Sequence, residues 1–310
     1  MNYLETKNKI IELKNELNAL NENQFIEFQN LKNEIAELQK KCYESLTPWD
    51  RVSIAREMDR PKAMDYIRLL FTDFIEFHGD YYFGDDQSIV GGIGYFNETP
   101  VTVIAQAKGK TLDENLKRNF GATNPEGFRK AKRLALQAEK FKRPIITIVD
   151  TSGAYPGKGA EERGQSRAIA ESLMIFSNIK VPVIAIVIGE GGSGGALALS
   201  VANKIIMLEN AVYSILSPEG FASILFKDAT RVVESANKMK LTSYDLKEKE
   251  IVDEIIIEGP LGIHERFKDI INEISKYIDK QLAFYSKKDE KYIVNDRYNK
   301  FRKIGAFKNE

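Results

Sequence analysis

A glycine-rich loop carries the residues best suited to chemistry in this chain, within the run VPVIAIVIGEGGSGGALALS at residues 181–200. The loop lies between a run of β-branched residues, typical of a buried strand, and a run of good helix formers. A loop without side chains at a helix start presents unpaired main-chain N–H groups to a ligand. The pattern predicts a site for negative charge, either a phosphate or an oxyanion formed during a reaction. The glycines of this loop are Gly189, Gly191, Gly192, Gly194 and Gly195.

A second loop of small residues follows another buried run. The letters PIITIV at residues 144–149 continue into DTSGAYPG at residues 150–157, and a helix is predicted from about Glu161. Two consecutive strand–loop–helix units place both loops at the carboxyl edge of a parallel sheet, where ligands bind in open α/β sheets. The sequence therefore predicts that the two loops bracket one site.

Side chains for other kinds of catalysis are scarce. The chain has two histidines, His78 and His264, and lacks the Gly-x-Ser-x-Gly and His-Glu-x-x-His motifs. Its single cysteine, Cys42, permits no internal disulfide and no thiolate metal site, as expected in a reducing cytoplasm. We expect no metal centre, and an enzyme that stabilises an oxyanion with main-chain donors and takes its base from a substrate or a partner.

Two other interpretations of the glycine loop stay open from these residues. The spacing Gly189-x-Gly191-x-x-Gly194 also fits the dinucleotide fingerprint, and Glu209 lies where an acidic ribose ligand is expected. Two features disfavour a nicotinamide-dependent enzyme. The stretch between Gly195 and the strand predicted at residues 204–208 is short for a nucleotide-binding helix, and Glu190 would place a carboxylate beside the pyrophosphate. Glycines that serve only close packing are the other alternative.

Length and charge set the broad class. The chain has 310 residues, of which 43% are hydrophobic, so it can bury a sizeable core. Its 45 basic and 45 acidic residues balance, which disfavours a nucleic-acid-binding protein. There is neither a secretory signal at the start nor an apolar run of about eighteen residues. We expect a cytoplasmic protein that does not bind membranes.

One segment departs from this balance. Residues 108–143 hold eleven basic residues against four acidic ones. An anionic ligand or partner is one explanation, with Arg129 and Arg133 as candidate binding residues. Because this part includes an amphipathic helix predicted at residues 125–141, its charges equally fit a solvated helix face.

Periodicity predicts the other elements. Residues 1–46 are predicted to form a helical hairpin with a break at 21–23, which should pack on the body or on a partner. A solvated arm is an equal alternative. Further helices are predicted at residues 62–76 and 161–176. Strands are predicted at residues 89–96, 101–107, 144–149, 181–188 and 204–208.

Four long runs in the same order closely resemble the carboxyltransferase alpha subunits of bacterial acetyl-CoA carboxylases. The runs are RNFGATNPEGFRKAKRLALQAEKF, PIITIVDTSGAYPGKGAEERGQSRAIA, VIGEGGSGGALALSVANK and SILSPEGFASILFKD, and the likeness covers about residues 46–270. The resemblance implies an α/β, crotonase-like fold, a spiral of stacked ββα units with an N-terminal α-helical hairpin. We expect a hairpin arm at residues 1–46, a carboxyltransferase domain at 47–280 and a lysine-rich tail at 281–310.

The resemblance also implies an activity and partners. In that family the carboxyl group of carboxybiotin, supplied on the biotin carboxyl carrier protein, is transferred to acetyl-CoA to give malonyl-CoA for fatty-acid synthesis. The alpha subunit works with a beta subunit, in an expected α2β2 complex, while biotin carboxylase uses ATP elsewhere. The chain itself is expected to bind no cofactor. Because the family's beta subunit carries a four-cysteine zinc ribbon, this chain with one cysteine is not that subunit.

The likeness assigns roles to the glycine loops. Gly194, Gly195 and Ala196 would form the backbone oxyanion hole for the biotin carbonyl, while the beta subunit holds the thioester. Biotin nitrogen would take the methyl proton, so no catalytic histidine is needed. A relative acting on another acyl-CoA such as propionyl-CoA, or a hydratase using Glu161 and Glu162, stays an alternative. The expected substrate-binding residues are Gly191, Gly192, Ser193, Gly153, Ala154, Tyr155, Arg129 and Arg133.

Overall fold

The β-branched runs form the centre of one mixed sheet in a computed structural model, which describes residues 3–20, 24–260 and 262–305. Within those ranges the strands are β1 (Thr72–Glu76), β2 (Ile89–Phe96), β3 (Thr99–Gln106), β4 (Ile145–Thr151), β5 (Val183–Gly192), β6 (Lys204–Leu208), β7 (Val212–Ser214) and β8 (Glu254–Ile256). The order across the sheet is β1-β2-β3-β4-β5-β6-β8, and β7 pairs with β5.

The centre of the sheet is parallel and buried on both faces. Strand β4 is buried along its whole length and pairs in parallel with β5, with Ile145 opposite Val183. Such strands pack side chains against helices on both sides, which is why the sequence shows continuous apolar runs here and no alternation. Strands β2 and β3 form the predicted antiparallel hairpin.

Helices flank the sheet. Strand β3 is followed by a short α-helix, Leu112–Lys117, by a 3-10 helix, Asn119–Gly121, and by the amphipathic helix Pro125–Lys140, which was predicted at residues 125–141. The helices are α1 (Tyr3–Ala19), α2 (Phe25–Glu44), α3 (Pro48–Ala55), α4 (Ala63–Leu70), α5 (Leu112–Lys117), α6 (Pro125–Lys140), α7 (Lys158–Glu162), α8 (Gln165–Asn178), α9 (Ser193–Ser200), α10 (Pro218–Leu225), α11 (Val232–Met239), α12 (Ser243–Glu248), α13 (Gly262–Tyr285) and α14 (Glu290–Lys303).

Two predicted helices differ from the structure. The helix predicted at residues 62–76 ends at Leu70, because the following residues pair with β2 as the edge strand β1. The tertiary pairing thus overrides the helical spacing of the apolar residues. The helix predicted at residues 161–176 is divided into α7 and α8 at Gly164, whose φ of +82° is in the left-handed region that favours glycine.

The N-terminal helices pack on the body of the protein, one of the three arrangements left open. The Tyr43 hydroxyl of α2 donates to the Glu209 carboxylate at 2.7 Å. The Tyr3 hydroxyl and the Lys7 ammonium of α1 each donate to Glu57 at 2.6 Å. Helices α1 and α2 also contact each other, and the predicted break at 21–23 lies outside the described residues. We keep the arm at residues 1–46 as a proposal.

The C-terminal helices complete the core. The boundary expected at residue 280 falls inside α13, and α14 packs against α8. Arg297 of α14 is 1% exposed. Its guanidinium donates to the carbonyls of Phe176, Ile179 and Val181 at 2.8–2.9 Å. The described part of the tail is therefore tied to the end of α8. Among the described residues, no helix combines the length and apolar character needed to cross a membrane.

Replacing Arg297 by leucine should lower the free energy of unfolding by about 2–4 kcal/mol, since three buried carbonyls lose their charged donor. Urea unfolding followed by circular dichroism measures the change. Arg302→Leu on the same helix is the control, because Arg302 is exposed. Equal effects of the two substitutions would contradict this account of the tail.

Candidate active site

The two glycine loops meet at the carboxyl ends of β4 and β5, as predicted. Their main chains are in direct contact: a Cβ atom on Gly192 would lie 2.2 Å from the Ser152 carbonyl oxygen. A Cβ atom on Gly195 would lie 2.7 Å from the Ala154 nitrogen. Glycine is required at both positions because any side chain would separate the loops.

The first turn of α9 presents free amides at this junction. Gly192 is the N-cap, and Ser193 turns the chain into the helix with φ of +57°. The N–H groups of a helix's first turn have no intrahelical acceptor, whereas Ala196 is the first residue whose N–H reaches one. Ser193 is exposed and Gly194 half-buried, while Gly195 is buried. The geometry thus favours Gly194 and Gly195 over Ala196 among the predicted donors.

The loop that follows β4 is held by hydrogen bonds on its far side. The Tyr155 N–H donates to the Thr123 carbonyl at 2.9 Å. The side-chain amide of Gln165 donates to the carbonyls of both Thr123 and Tyr155, at 2.8 and 2.9 Å. These contacts fix the position of Gly153 and Ala154 against α9, while the Tyr155 ring is 39% exposed. The predicted residues of the two loops therefore surround one junction.

A cluster of charges, largely buried at Lys108, Asp150 and Glu190, ties the strand ends together. The Lys108 ammonium, just beyond β3, contacts Asp150 at 3.1 Å and Glu190 at 2.7 Å. The Arg56 guanidinium contacts the other oxygen of Glu190 at 2.7 Å and Glu219 at 2.6 Å. The charge cluster of these five residues connects three parallel strand ends and two more distant segments.

Burial and charge act against each other in this cluster. Burial opposes ionisation of Glu190, but the charges of Lys108 and Arg56 outweigh it and hold the pKa of Glu190 below its usual range. Burial likewise disfavours the charge on Lys108, but Asp150 and Glu190 raise the pKa of Lys108. Lys108 and Glu190 are both ionised at neutral pH, and each depends on its partners.

Two predicted binding residues are placed elsewhere. The Arg129 guanidinium contacts Asp80 at 2.7 Å and Glu126 at 3.0 Å. Arg133 donates to the carbonyls of residues 78 and 79 at 3.1 and 3.0 Å. Neither guanidinium hydrogen-bonds to a glycine-loop residue in the described chain. Burial opposes ionisation of Asp80, yet backbone N–H donors and Arg129 lower its pKa to about 2.

The excess charge of the basic segment is largely neutralised by acids from outside it. Lys110 pairs with Asp65, and Lys132 pairs with Glu171, both at 2.6 Å. Lys108 and Arg129 also pair with acidic residues outside the segment. The basic residues therefore serve to form ion pairs within the protein, which is a third explanation beside an anionic ligand and a solvated helix face. The segment fastens α6 and the end of β3 to the rest of the protein.

The structure opposes the dinucleotide and hydratase alternatives. Glu209, the expected ribose ligand, is fully buried and accepts hydrogen bonds from Tyr43 and Tyr244 at 2.7 and 2.6 Å. Glu190 is engaged by the charge cluster. Glu161 and Glu162 are exposed on α7, so they form no buried acid–base pair.

One described group of side chains has the chemistry of metal ligands, and it lies outside the two glycine loops. Glu57, Asp59 and His264 have potential ligand atoms within 4.8 Å of one another. Glu57 already accepts from Tyr3 and Lys7, whose ammonium occupies the place of a cation. This group therefore gives no support for a metal in the site.

The residues that local patterns missed are those that position the loops. Arg56 and Glu219 lie far from both loops in sequence, and no local pattern connects them. Lys108 belongs to the basic segment, which gave a weak signal. Gln106 at the end of β3 donates its side-chain amide to the Gly195 carbonyl at 2.7 Å, and nothing in the sequence marked it.

Replacing Lys108 by methionine should lower the free energy of unfolding by about 3–5 kcal/mol near neutral pH, because Asp150 and Glu190 lose their shared cation. Urea unfolding at several pH values measures this. The ionised Glu190 stabilises the native state above its unfolded pKa, and this contribution is lost as pH falls. In the variant Glu190 keeps Arg56 but loses Lys108, so burial is opposed less strongly, and protonation of Glu190 should narrow the gap in stability to the natural protein from about pH 8 to about pH 5.

Lys110→Met is the matched control for this measurement. Lys110 is also paired, but its side chain is 54% exposed, against 12% for Lys108. An exposed pair contributes about 0–1 kcal/mol. If the two variants lose equal stability, the charge cluster does not hold the strand ends as described.

Solved structures of low sequence identity share this fold. Transcarboxylase 12S, solved with methylmalonyl-coenzyme A bound, matches with a TM-score of 0.59 at 19% identity over 74% of this chain. This chain spans 44% of the length of that transcarboxylase chain. The beta subunit of P. aeruginosa geranyl-CoA carboxylase matches with a TM-score of 0.57 at 14% identity, covering 82% of this chain and 46% of that one. These matches confirm the predicted crotonase-like α/β fold.

Sequence relatives match over nearly the whole chain, including the arm and most of the tail. The acetyl-coenzyme A carboxylase carboxyl transferase subunit alpha of Geobacillus sp. (strain WCH70) is 51% identical over 304 residues, 98% of this chain and 94% of the relative. The subunit of the same name from Staphylococcus haemolyticus is 49% identical over 311 residues, 98% of this chain and 99% of the relative. The family model described as acetyl co-enzyme A carboxylase carboxyltransferase-like matches residues 2–305, so the chain belongs to that family of transferases.

Proposed function

We propose that this chain is the alpha subunit of an acetyl-CoA carboxylase carboxyltransferase. It transfers the carboxyl group of carboxybiotin to acetyl-CoA and so forms malonyl-CoA, the first committed step of fatty-acid biosynthesis. The observation that carries the proposal is the close contact between the first turn of α9, which holds Gly194 and Gly195, and the loop after β4. The relatives of matching length support the choice of reaction.

The proposed chemistry uses main-chain donors and a base supplied by the substrate. When the carboxyl group leaves carboxybiotin as CO₂, negative charge develops on the ureido oxygen, and the N–H groups of Gly194 and Gly195 stabilise it. The freed ureido nitrogen then takes the methyl proton of acetyl-CoA, and the resulting enolate attacks CO₂. One such donor contributes about 10²- to 10³-fold in rate. This scheme needs no histidine or carboxylate base from the chain.

The exposed side of the junction is where we place the ligands. The exposed residues Ser193 and Tyr155 flank it, and the half-buried Gly192 and Ala154 lie next to the buried Gly191 and Gly153. We keep these residues as the proposed substrate-binding set, together with Ala196. Arg129 and Arg133 remain only as proposed contributors at a distance, since their guanidiniums are held by other groups.

Partners complete the proposal. We propose that a beta subunit holds the thioester of acetyl-CoA in an α2β2 complex and that the biotin carboxyl carrier protein delivers the carboxybiotin. Biotin carboxylase, which uses ATP, recharges the carrier, so this chain binds no cofactor of its own. The complex is proposed to work in the cytoplasm, and the single cysteine suits that compartment.

The purified chain alone should form no malonyl-CoA, because the proposed site holds only the biotin side. Adding the beta subunit and carboxylated carrier of the same organism should restore transfer, followed by the appearance of malonyl-CoA. The same mixture with propionyl-CoA tests the acyl preference and should be slower. Full transfer by the single chain, or faster use of propionyl-CoA, would refute the corresponding part of the proposal.

A pair of variants at Gly194 tests the amide donor itself. Proline is tolerated in the first turn of a helix but has no N–H, whereas alanine keeps it. An alanine Cβ at this position would meet only the Ile169 side chain at 3.5 Å, an ordinary contact. We expect Gly194→Pro to transfer carboxyl groups about 10²- to 10³-fold more slowly than Gly194→Ala.

The comparison requires that both Gly194 variants assemble. Co-elution with the beta subunit and thermal unfolding check this for each variant. Similar rates in two properly assembled variants would show that the Gly194 amide does not stabilise the developing charge.

A further inference from the structure

The side chain of Gln106 connects β3 with the first turn of α9. Gln106 is the last residue of β3, and its side chain is fully buried. Its amide nitrogen donates to the Gly195 carbonyl at 2.7 Å, across 89 residues of sequence. The strand beside the two glycine loops therefore reaches the first turn of α9 directly.

Packing alone does not explain a glutamine at this position. Its side-chain oxygen is buried and has no hydrogen-bond partner among the described residues. A buried acceptor without a partner destabilises the native state, and a methionine of similar size would avoid that loss. The Gly195 carbonyl also lies inside α9, where the N–H of Leu199 is its regular helical donor. The glutamine hydrogen bond is therefore additional to what the helix needs.

The turn that Gln106 contacts needs other residues to fix its conformation. Gly194 and Gly195 have no side chains that could lock the turn by packing, and glycine backbones are conformationally permissive. On one side the turn rests against the main chain of Gly153 and Ala154. On the other, Gln106 holds the Gly195 carbonyl, while Lys108, two residues further on, holds Glu190. The end of β3 thus fixes both ends of the glycine loop.

We propose that Gln106 is a positioning residue for carboxyl transfer. Its hydrogen bond fixes the orientation of the first turn of α9, so that the free N–H groups point at the oxygen that gains charge. This inference rests on the proposed function, but its structural part is independent of the substrate.

Gln106→Met tests the proposal in the assembled complex of alpha and beta subunits with carboxylated carrier. We expect kcat to fall about 10- to 100-fold, because a small misplacement of catalytic groups has effects of this size. The KM for acetyl-CoA should stay within about twofold, since the beta subunit holds that substrate. The midpoint of urea unfolding should be unchanged or higher, because the unpaired acceptor is removed.

A second measurement does not depend on activity. Deuterium exchange of the main-chain amides in residues 190–200, followed by mass spectrometry, should be faster in Gln106→Met than in the natural chain. Gln281→Met is the control, since Gln281 is also buried but lies on α13. It should change neither the exchange of this segment nor kcat.

The outcomes separate this proposal from the proposed function. If the complex with the unsubstituted chain transfers no carboxyl group, the proposed function is refuted. The deuterium exchange of residues 190–200 still tests whether Gln106 fixes the turn. A natural kcat in Gln106→Met, unchanged exchange, or a fall in kcat together with a fall in unfolding midpoint overturns the positioning role. If Gln106→Met does not assemble, Gln106→Leu removes the amide donor and the unpaired acceptor with a smaller apolar side chain. It should show the same loss of kcat, and a natural rate in it would also overturn the proposal.

Discussion

The contact of the Lys108 ammonium with two buried carboxylates is the interaction on which the site depends. Lys108 follows β3, Asp150 lies in β4 and Glu190 lies in β5, so one cation joins the ends of three parallel strands. A buried cation without such partners would be strongly destabilising, and so would the two carboxylates without the cation. The three strand ends are therefore coupled. The loops that leave β4 and β5 begin from positions fixed by this contact.

In the proposed site, side chains position the loops and main-chain amides bind the ligand. Charged and amide side chains fix the positions of the loops. Arg56 and Lys108 contact Glu190, and Gln106 donates to the Gly195 carbonyl. Gln165 donates to the Thr123 carbonyl beside the loop after β4. In the proposed site the groups that bind the ligand are amides, which carry no charge to be neutralised and no proton to be lost near neutral pH. Stabilisation of a developing oxyanion needs donors fixed in advance more than it needs reactive side chains. This suits a reaction whose base comes with the substrate, and whose other substrate is held by a partner.

The sequence predicted the elements that local patterns encode. Strand β6 was predicted at its observed bounds, and the continuous apolar runs marked β4 and β5 because such strands are buried on both faces. Their loops were placed correctly at one edge by the rule for parallel sheets. The edge strand β1 was missed, because apolar residues that pack on the core also fit helical spacing, and only pairing with β2 decides between the two.

Long-range contacts were beyond the reach of local patterns. Arg56 meets Glu190 across 134 residues, and Gln106 meets Gly195 across 89, so neither spacing forms a motif. Arg129 was chosen for its charge, yet its partner Asp80 lies in a loop without any helical or strand periodicity. Gly195 was predicted as a donor, and the structure adds that its Cα rests against the neighbouring loop. A bulky substitution there would mix a loss of packing with a loss of donors.

The most direct test of the central claim is a structure of the alpha–beta complex with biotin bound. We expect the ureido oxygen about 2.7–3.1 Å from the main-chain nitrogens of Gly194 and Gly195, with the Gln106 amide still on the Gly195 carbonyl. Biotin bound with its ureido oxygen on a side chain, or at any place away from this turn, would contradict the account.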